Sequence, residues 1–422
     1  MKVYGEIEQI RRKLGVSKWM CRPKKMKYCF RERKVIPFET EYLQVRYGYQ
    51  FDPIDPENSG ETYEAVLGSR SSALELLLLD KDIMGPCWIR VPYEIKKEGE
   101  TNKYSWCKLE IELEDSYDRI EVAIGNFQSP DLKILSLSLQ TTLDEKNNTK
   151  LHVYVHVFTI KKIDLNPFPY NLENELKEKQ FDINRLKTFG TETEMLNYFS
   201  AELKEWDCDI IVGHKLFDFV LDVLFDRMDK LRTKHWSRIG RLRRLKMPFL
   251  GGRLMKKSLG CGRLLCDTFL SAQEFIHQNT YTLSHLVKTQ LGISNYQNID
   301  INKIKEYWLD GKQLAEIIRH CIVDGSLIAK IMFKLQILPL TKALTILCGN
   351  VWQRSLISQR AERNEYLLLH EFHRAGFITP EKYTMNEKFN KHIIDENYND
   401  NDNDNQNKNN KKKEKNHNIL VV

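Results

Sequence analysis

The sequence predicts an α/β fold, and three observations predict it. Two short apolar runs, Ile210-Ile211-Val212 and Leu264-Leu265-Cys266, are each bounded by turn residues, the pattern of strands buried in a sheet. Helical periodicity at Met195, Leu196, Phe199, Leu203 and Trp206 leads into the first run, and an amphipathic segment follows it. Upstream, residues 133–143 and 151–160 alternate with period 2 on either side of a polar stretch, as an antiparallel pair joined by a turn would. Strand, strand, helix, strand, helix is the order of an α/β domain.

Taken in order, residues 1–130 read as a mixed α+β N-terminal domain, with a Pro- and Asp-rich loop at 52–60 and a strand from Trp106 to Leu113. Residues 131–340 hold the α/β core. Beyond Asp267 the spacing predicts a helix over Ser284 to Leu291, stopped by Gly292. A longer helix carries Leu314, Ile317, Ile318, Cys321, Ile328, Ile331, Met332 and Leu335 and is ended by Pro339, with His320 and Asp324 four residues apart on one face. Residues 341–382 read as a helical connector with Arg354, Arg360, Arg363 and Asn364 toward its polar side. From 383 to 422 the chain is dominated by Asn, Asp and Lys, too polar to bury a core, so a disordered tail is expected.

The 422 residues, 41% of them apolar, can fill two or three cores. No stretch approaches the ~18 apolar residues of a membrane helix. The densest cluster, Ala73 to Leu79, already contains Glu75, and no membrane partner is expected. The N-terminus lacks the apolar core of a signal peptide, and the nine cysteines include no C-x-x-C pair. Reduced, mostly buried thiols in a cytosolic or nuclear protein fit this better than zinc ligands do. His370 and His373 are one residue short of the H-E-x-x-H spacing and read as core or surface histidines, as do His152 and His156.

Charge is the most uneven property. Between Arg227 and Lys257 stand twelve Lys or Arg against one acid, Asp229, whereas the whole chain carries only +7. The remainder is therefore acidic, and the positive charge is local. A run of Lys and Arg is often only a solvated face. Its density and the aromatic Trp236 within it favour a nucleic-acid track made of Trp236, Arg238, Arg241, Arg243, Arg244 and Arg253, extended by Arg360 and Arg363. A contact with a protein subunit is the competing reading.

Several stretches carry a specific likeness: Asp209-Ile210-Ile211-Val212-Gly213-His214, His235-Trp236-Ser237-Arg238-Ile239-Gly240-Arg241-Leu242, Leu250-Gly251-Gly252-Arg253, Cys261-Gly262-Arg263 and Arg363-Asn364-Glu365-Tyr366-Leu367-Leu368-Leu369-His370. Gly85-Pro86-Cys87-Trp88 and Ser105-Trp106-Cys107-Lys108 add to it. Together they closely resemble the polymerase alpha branch of the family-B DNA polymerases over roughly residues 1–382. The resemblance implies a ribonuclease-H-like 3′-5′ exonuclease fold at 131–340. It also implies DNA template and RNA/DNA primer as partners, association with primase and accessory subunits, and a nuclear location. The family's palm motifs, whose aspartates bind the Mg²⁺ of nucleotidyl transfer, do not occur in this sequence, so no cofactor is expected in this chain. The reading is that of a piece of a longer polymerase.

An exonuclease of this fold holds two metal ions with several carboxylates. The resemblance places those ligands at a D-x-E on the first strand, an Asp after Phe at a helix start, and a Tyr-x-x-x-Asp on a late helix. Here those positions read Ser138 and Gln140, Val220, and His320 with Asp324. A neutral hydroxyl, an amide and an isopropyl group cannot replace anionic ligands of a hard cation. Asp218 and Asp222 lie two residues either side of Val220, an offset that on a regular helix turns a side chain by about 200° away. The only D-x-E, Asp55-Pro56-Glu57, sits in a proline turn. The expected function is a scaffold with an inactivated exonuclease domain. An active proofreading nuclease and a stand-alone single-strand-binding module are the alternatives.

Overall fold

A computed structural model describes residues 2–30, 38–92, 94–95, 103–113, 119–143, 149–154, 158–161, 168–178, 186–247, 259–296, 299, 304–380 and 418–421. Two compact units emerge, one formed by residues 1–84 with 364–422 and the other by 85–363.

In the first unit, helix α1 (Lys2–Lys13) precedes strands β1 (Trp19–Lys27) and β2 (Glu39–Tyr47), which pair antiparallel along their full length from Trp19↔Tyr47 to Lys27↔Glu39. Ile7 of α1 is wholly buried against Val45, Ile54, Tyr63 and Val66. Strand β3 (Val66–Leu67) and helix α2 (Ala73–Asp80) follow, with the Ser72 hydroxyl capping α2 by accepting from the Glu75 amide. Residues from the far end of the chain complete this unit. Ile378 joins Met26, Tyr28, Tyr42 and Leu67 in a second small core, with Lys27 N–H donating to the Gly376 carbonyl and Ile378 N–H donating to the Lys27 carbonyl. Asn418–Val421 form a strand between β2 and β3, parallel to both. The tail expected to be disordered from 383 lies outside the described residues up to 417. Its last residues correct that expectation, because Ile419-Leu420-Val421 is an apolar run of strand-forming residues that pairs on both sides, with β2 and with β3.

The second unit centres on a three-stranded parallel sheet of β4 (Ile134–Ser136), β9 (Ile210–Gly213) and β10 (Leu264–Asp267), with β9 in the middle. Between β4 and β9 in the chain come β5 (Leu139–Leu143), β6 (Thr149–Tyr154), β7 (Phe158–Lys161) and β8 (Leu186–Phe189), which form a separate four-stranded sheet. The alternating run 133–143 is therefore two strands in two sheets. Leu135, Leu137 and Leu139 all enter one core, and the chain changes sheets at Ser138. The antiparallel pairing expected of the two runs is made by β5 and β6, with a bulge between Leu151 and Val153.

Helix α3 (Glu192–Trp206) starts with a reciprocal Thr191–Glu194 capping box and ends at Asp207, whose φ of 47° is left-handed. Its stripe of Met195, Leu196, Phe199 and Leu203 covers one face of the parallel sheet together with Ile211, Phe217, Leu224 and Phe225. Helix α4 (Leu221–Lys230) crosses between β9 and β10. On the opposite face, Ile210, Val212 and Cys266 meet Ile328 and Met332 of the long helix. A strand covered on both faces must be apolar throughout, which is why β9 shows no alternation.

Helices α5 (Thr268–Phe275) and α6 (Leu283–Leu291) follow, the latter closed by Gly292 at φ 71° as expected. The long helix α7 (Gly311–Lys334) ends five residues before Pro339, and the chain breaks at Gln336 with φ 49°. Pro339 sits instead in the first turn of α8 (Ile337–Cys348), where its missing N–H costs nothing. The strand expected at Trp106–Leu113 reduces to Ile111–Glu112. The Glu110 carboxylate accepts hydrogen bonds from the Tyr104 and Ser105 amides and the Ser105 hydroxyl, which folds 104–110 into a turn. The thiols are less uniformly buried than expected, since Cys29 and Cys87 are exposed and Cys208, Cys266, Cys321 and Cys348 are buried.

At the start of β9 an ionic cage fixes the chain. The Arg263 side chain is 1% exposed and bonds Asp207 Oδ1 at 2.9 Å and the carbonyls of Cys208 and Leu203, while Arg241 bonds Asp207 and Asp209 at 3.0 and 2.8 Å. These pairs hold the Asp207 carboxyl below the ordinary carboxylate range, against the opposing effect of burial. Arg263→Met strands the buried carbonyls and is expected to cost roughly 3–5 kcal/mol, read by urea unfolding. A loss under about 1 kcal/mol would show that the cage is ornamental.

Candidate functional site

In open parallel sheets, ligand sites lie beyond the carboxyl ends of the strands. Here those ends are Ser136 of β4, Gly213 of β9 and Asp267 of β10, and α7 runs past the first of them. The Ser136 hydroxyl donates to the Gly325 carbonyl at 2.6 Å, and Gln140 lies near the buried Cys321 thiol. The segment carrying Ser138 and Gln140 is thereby held against the turn of α7 that bears His320 and Asp324.

Asp324 is 6% exposed. It accepts a hydrogen bond from the Tyr296 hydroxyl at 2.8 Å, and His320 Nδ1 lies 3.3 Å from its other oxygen. The Tyr296 and His320 rings are 5.3 Å apart. Burial, and then the Asp324 charge, push the Tyr296 phenol pKa upward, so it stays a donor. Tyr296 escaped the sequence reading because it reaches Asp324 from the segment after α6, twenty-eight residues away. A hydroxyl absent from position 320 is thus supplied from another element.

Val220 goes elsewhere. It ends a π-helical turn, Leu216–Val220, in which Val220 N–H donates to the Lys215 carbonyl, and it is 3% exposed in the core with Leu137, Leu216 and Leu224. The wider turn keeps Asp218 on the surface and Asp222 half-buried, so neither acid takes its place. Ser138 is buried at the sheet crossover. No group of three or more His, Cys, Asp or Glu suited to a metal ion occurs among the described residues. The donor set at the five expected positions is one carboxylate, one imidazole, one amide, one hydroxyl and one alkyl group, which does not fit a pair of hard cations.

A family model for DNA polymerase family B, exonuclease domain, matches residues 64–286. The chain belongs to the family-B DNA polymerases. It is similar to the DNA polymerase alpha catalytic subunits of Oxytricha trifallax (33% identity over 90% of this chain and 27% of the relative), Xenopus laevis (34%, 90% and 27%) and Arabidopsis thaliana (34%, 92% and 28%). The chain therefore spans just over a quarter of the length of the relatives it matches.

In this family-B chain the basic stretch divides. Trp236 is 6% exposed and part of the main core, so its ring is not a stacking face. Arg241 belongs to the ionic cage, and Arg227 makes a bidentate pair with Glu192 at 2.7 Å. Arg363 is buried in a close pair with Glu274, and exposed Arg360 lies 3.6 Å from the same carboxylate. These arginines are structural, which corrects the expectation for Trp236, Arg241 and Arg363. Arg238 and exposed Arg243 lie over the Trp106 ring at 4.9 and 4.7 Å, and half-buried Arg244 reaches the Cys261 sulfur at 3.9 Å. Arg253 lies outside the described residues.

Two titratable groups beside the strand ends were not singled out in sequence. Asp267 is fully buried and caps α5 by accepting from the Phe269 amide, with a second bond from Phe217 N–H. Burial, aided by the Asp218 charge, raises its pKa from 3.8 to about 6. His214 shares a 3.0 Å hydrogen bond with Thr268, and burial followed by the Lys215 charge lowers its pKa from 6.5 to about 4. A carboxyl with a raised folded pKa loses stability as pH rises from about 4 to 6. An imidazole with a lowered one gains stability from about 4 to 6.5. The two effects oppose each other over one window. Asp267→Asn is expected to unmask a rise in stability across it, and His214→Asn a fall, each on the order of 2 kcal/mol, measured by chemical denaturation at stepped pH. Parallel profiles in both variants would remove these groups from the pH response.

Proposed function

We propose that this chain is the N-terminal and exonuclease-like part of a DNA polymerase alpha catalytic subunit, acting in initiation of DNA replication and primer extension as a scaffold whose own nuclease site is inactive. The observation that carries this reading is the pair of fates at the ligand positions. Val220 has become core, and the surviving carboxylate, Asp324, is engaged by Tyr296 and His320. Two-metal hydrolysis requires anionic oxygens that bridge or flank both ions, and Ser138 and Gln140 carry no charge to offer. What such a domain retains is shape and surface. It binds template and primer through its basic face, works in the nucleus, and assembles with primase and accessory subunits, a reading supported only by its likeness to polypeptides named as catalytic subunits. A proofreading nuclease built on the same fold is the competing function, and the donor chemistry opposes it.

The purified chain, given a 3′-labelled single strand with Mg²⁺ or Mn²⁺, is expected to leave the label at full length. Metal-dependent shortening that disappears in Asp324→Ala would overturn the inactive-nuclease reading, since it would show that the remaining carboxylate still supports catalysis.

A further inference from the structure

The arginines of the basic region fall into two chemical classes. Arg227, Arg241, Arg263 and Arg363 each meet a carboxylate at ion-pair distance. Arg238 and Arg243 meet none among the described residues, and both instead cover one indole, that of Trp106. Cation–π contact stabilises a guanidinium without neutralising it. The Arg238 pKa is lowered, by burial first and by the Arg243 charge second, so folding holds two like charges together at a cost. The Arg238 Nε is also buried with no hydrogen-bond partner. A site that concentrates unneutralised cations in this way is completed by an anion.

The platform under them is rigid. Trp106 N–H donates to the Arg241 carbonyl at 2.8 Å, its indole Nε1–H donates to Ser237 at 3.3 Å, and the His235 ring meets it edge-on. Arg243 N–H donates in turn to the Tyr104 carbonyl at 2.9 Å, so the chain segment of the second arginine is tied to the loop of the tryptophan. Tyr104 itself is 72% exposed beside this cluster. Guanidinium forks bind phosphate oxygens in a plane, and an aromatic face next to them suits a base on the same backbone.

We propose that Arg238 and Arg243, stacked on Trp106, clamp a backbone phosphate of a single-stranded nucleic acid, with Tyr104 as the adjoining base-stacking face. The proposal rests on the reading that this domain binds nucleic acid and places that binding at one cluster. A phosphopeptide would satisfy the guanidiniums but leave the exposed tyrosine ring without a role.

The test is fluorescence anisotropy of a labelled oligo-dT with the full 422-residue chain over a salt series. Each neutralised phosphate on a single strand contributes about −0.7 to the log–log salt slope. Arg238→Ala with Arg243→Ala is expected to flatten the slope by about 0.7 and weaken binding roughly tenfold or more at fixed salt. The double Lys variant keeps charge but loses the planar stack, so its slope persists while affinity drops. Tyr104→Ala, on an exposed ring, is expected to weaken binding with the slope intact. Arg319→Ala, an exposed arginine paired with Glu316, is the neutral control. Thermal melting of each variant separates misfolding from lost contact, and Arg243→Ala alone carries the test if the double variant melts early. Wild-type binding with an unchanged slope in the alanine variants overturns the clamp and leaves the nucleic-acid reading standing. Absence of wild-type binding overturns both, while the nuclease assay stands apart.

Discussion

The second unit depends on a four-residue strand that is buried on both faces. Ile210-Ile211-Val212-Gly213 has a parallel neighbour on each side, so its backbone is paired, and its side chains point alternately into two cores. Such a strand tolerates nothing polar along its length. Polar function is therefore pushed to its two ends. At the start, Asp207 and Asp209 are held by Arg241 and Arg263, and at the finish stand His214 and, on the next strand, Asp267. The first end fixes the strand's position, and the second is where a ligand site would open.

That division bears on what the residues beyond the strand ends demand of the fold. A set of converging carboxylates destabilises a fold unless metal ions compensate their repulsion. The residues present at these positions make no such demand. Val220 adds apolar area to the main core, Gln140 is a neutral amide near the buried Cys321 thiol, and Asp324 accepts a hydrogen bond from Tyr296 with His320 beside it. At these positions the fold is held by apolar packing and by hydrogen bonds between neighbouring side chains.

How much of this was legible in sequence depends on whether the signal was local. Apolar periodicity identified β9, β10, α3, α6 and α7, because burial on one or two faces leaves a direct imprint on residue order. Helix ends were less legible. Pro339 looks like a terminator but stands in the first turn of the next helix, because the break is made at Gln336 by a left-handed backbone that no residue type announces. Charge counting located the basic region but did not sort it. Arg241 and Arg243 are two residues apart, yet one closes an ionic cage and the other lies over Trp106. Their partners come from Asp209 and from the 104–106 turn, and sequence alone does not show which distant segment each will meet. The same limit made Trp236 look like the stacking aromatic, whereas the ring beneath the arginines belongs to Trp106.

The chain's far end shows the limit of composition from the other side. The Asn-, Asp- and Lys-rich tract has flanks in the same compact unit: Ile378 is buried beside Met26 and Tyr42, and Asn418–Val421 pair with β2 and β3. Polar composition says that a segment cannot build a core, but not whether its two flanks are anchored. Closing a loop costs free energy that grows only with the logarithm of its length, by roughly 0.6 kcal/mol per doubling. Backbone pairing on both sides of Asn418–Val421 supplies that anchor, so the first unit is defined by residues from both ends of the chain.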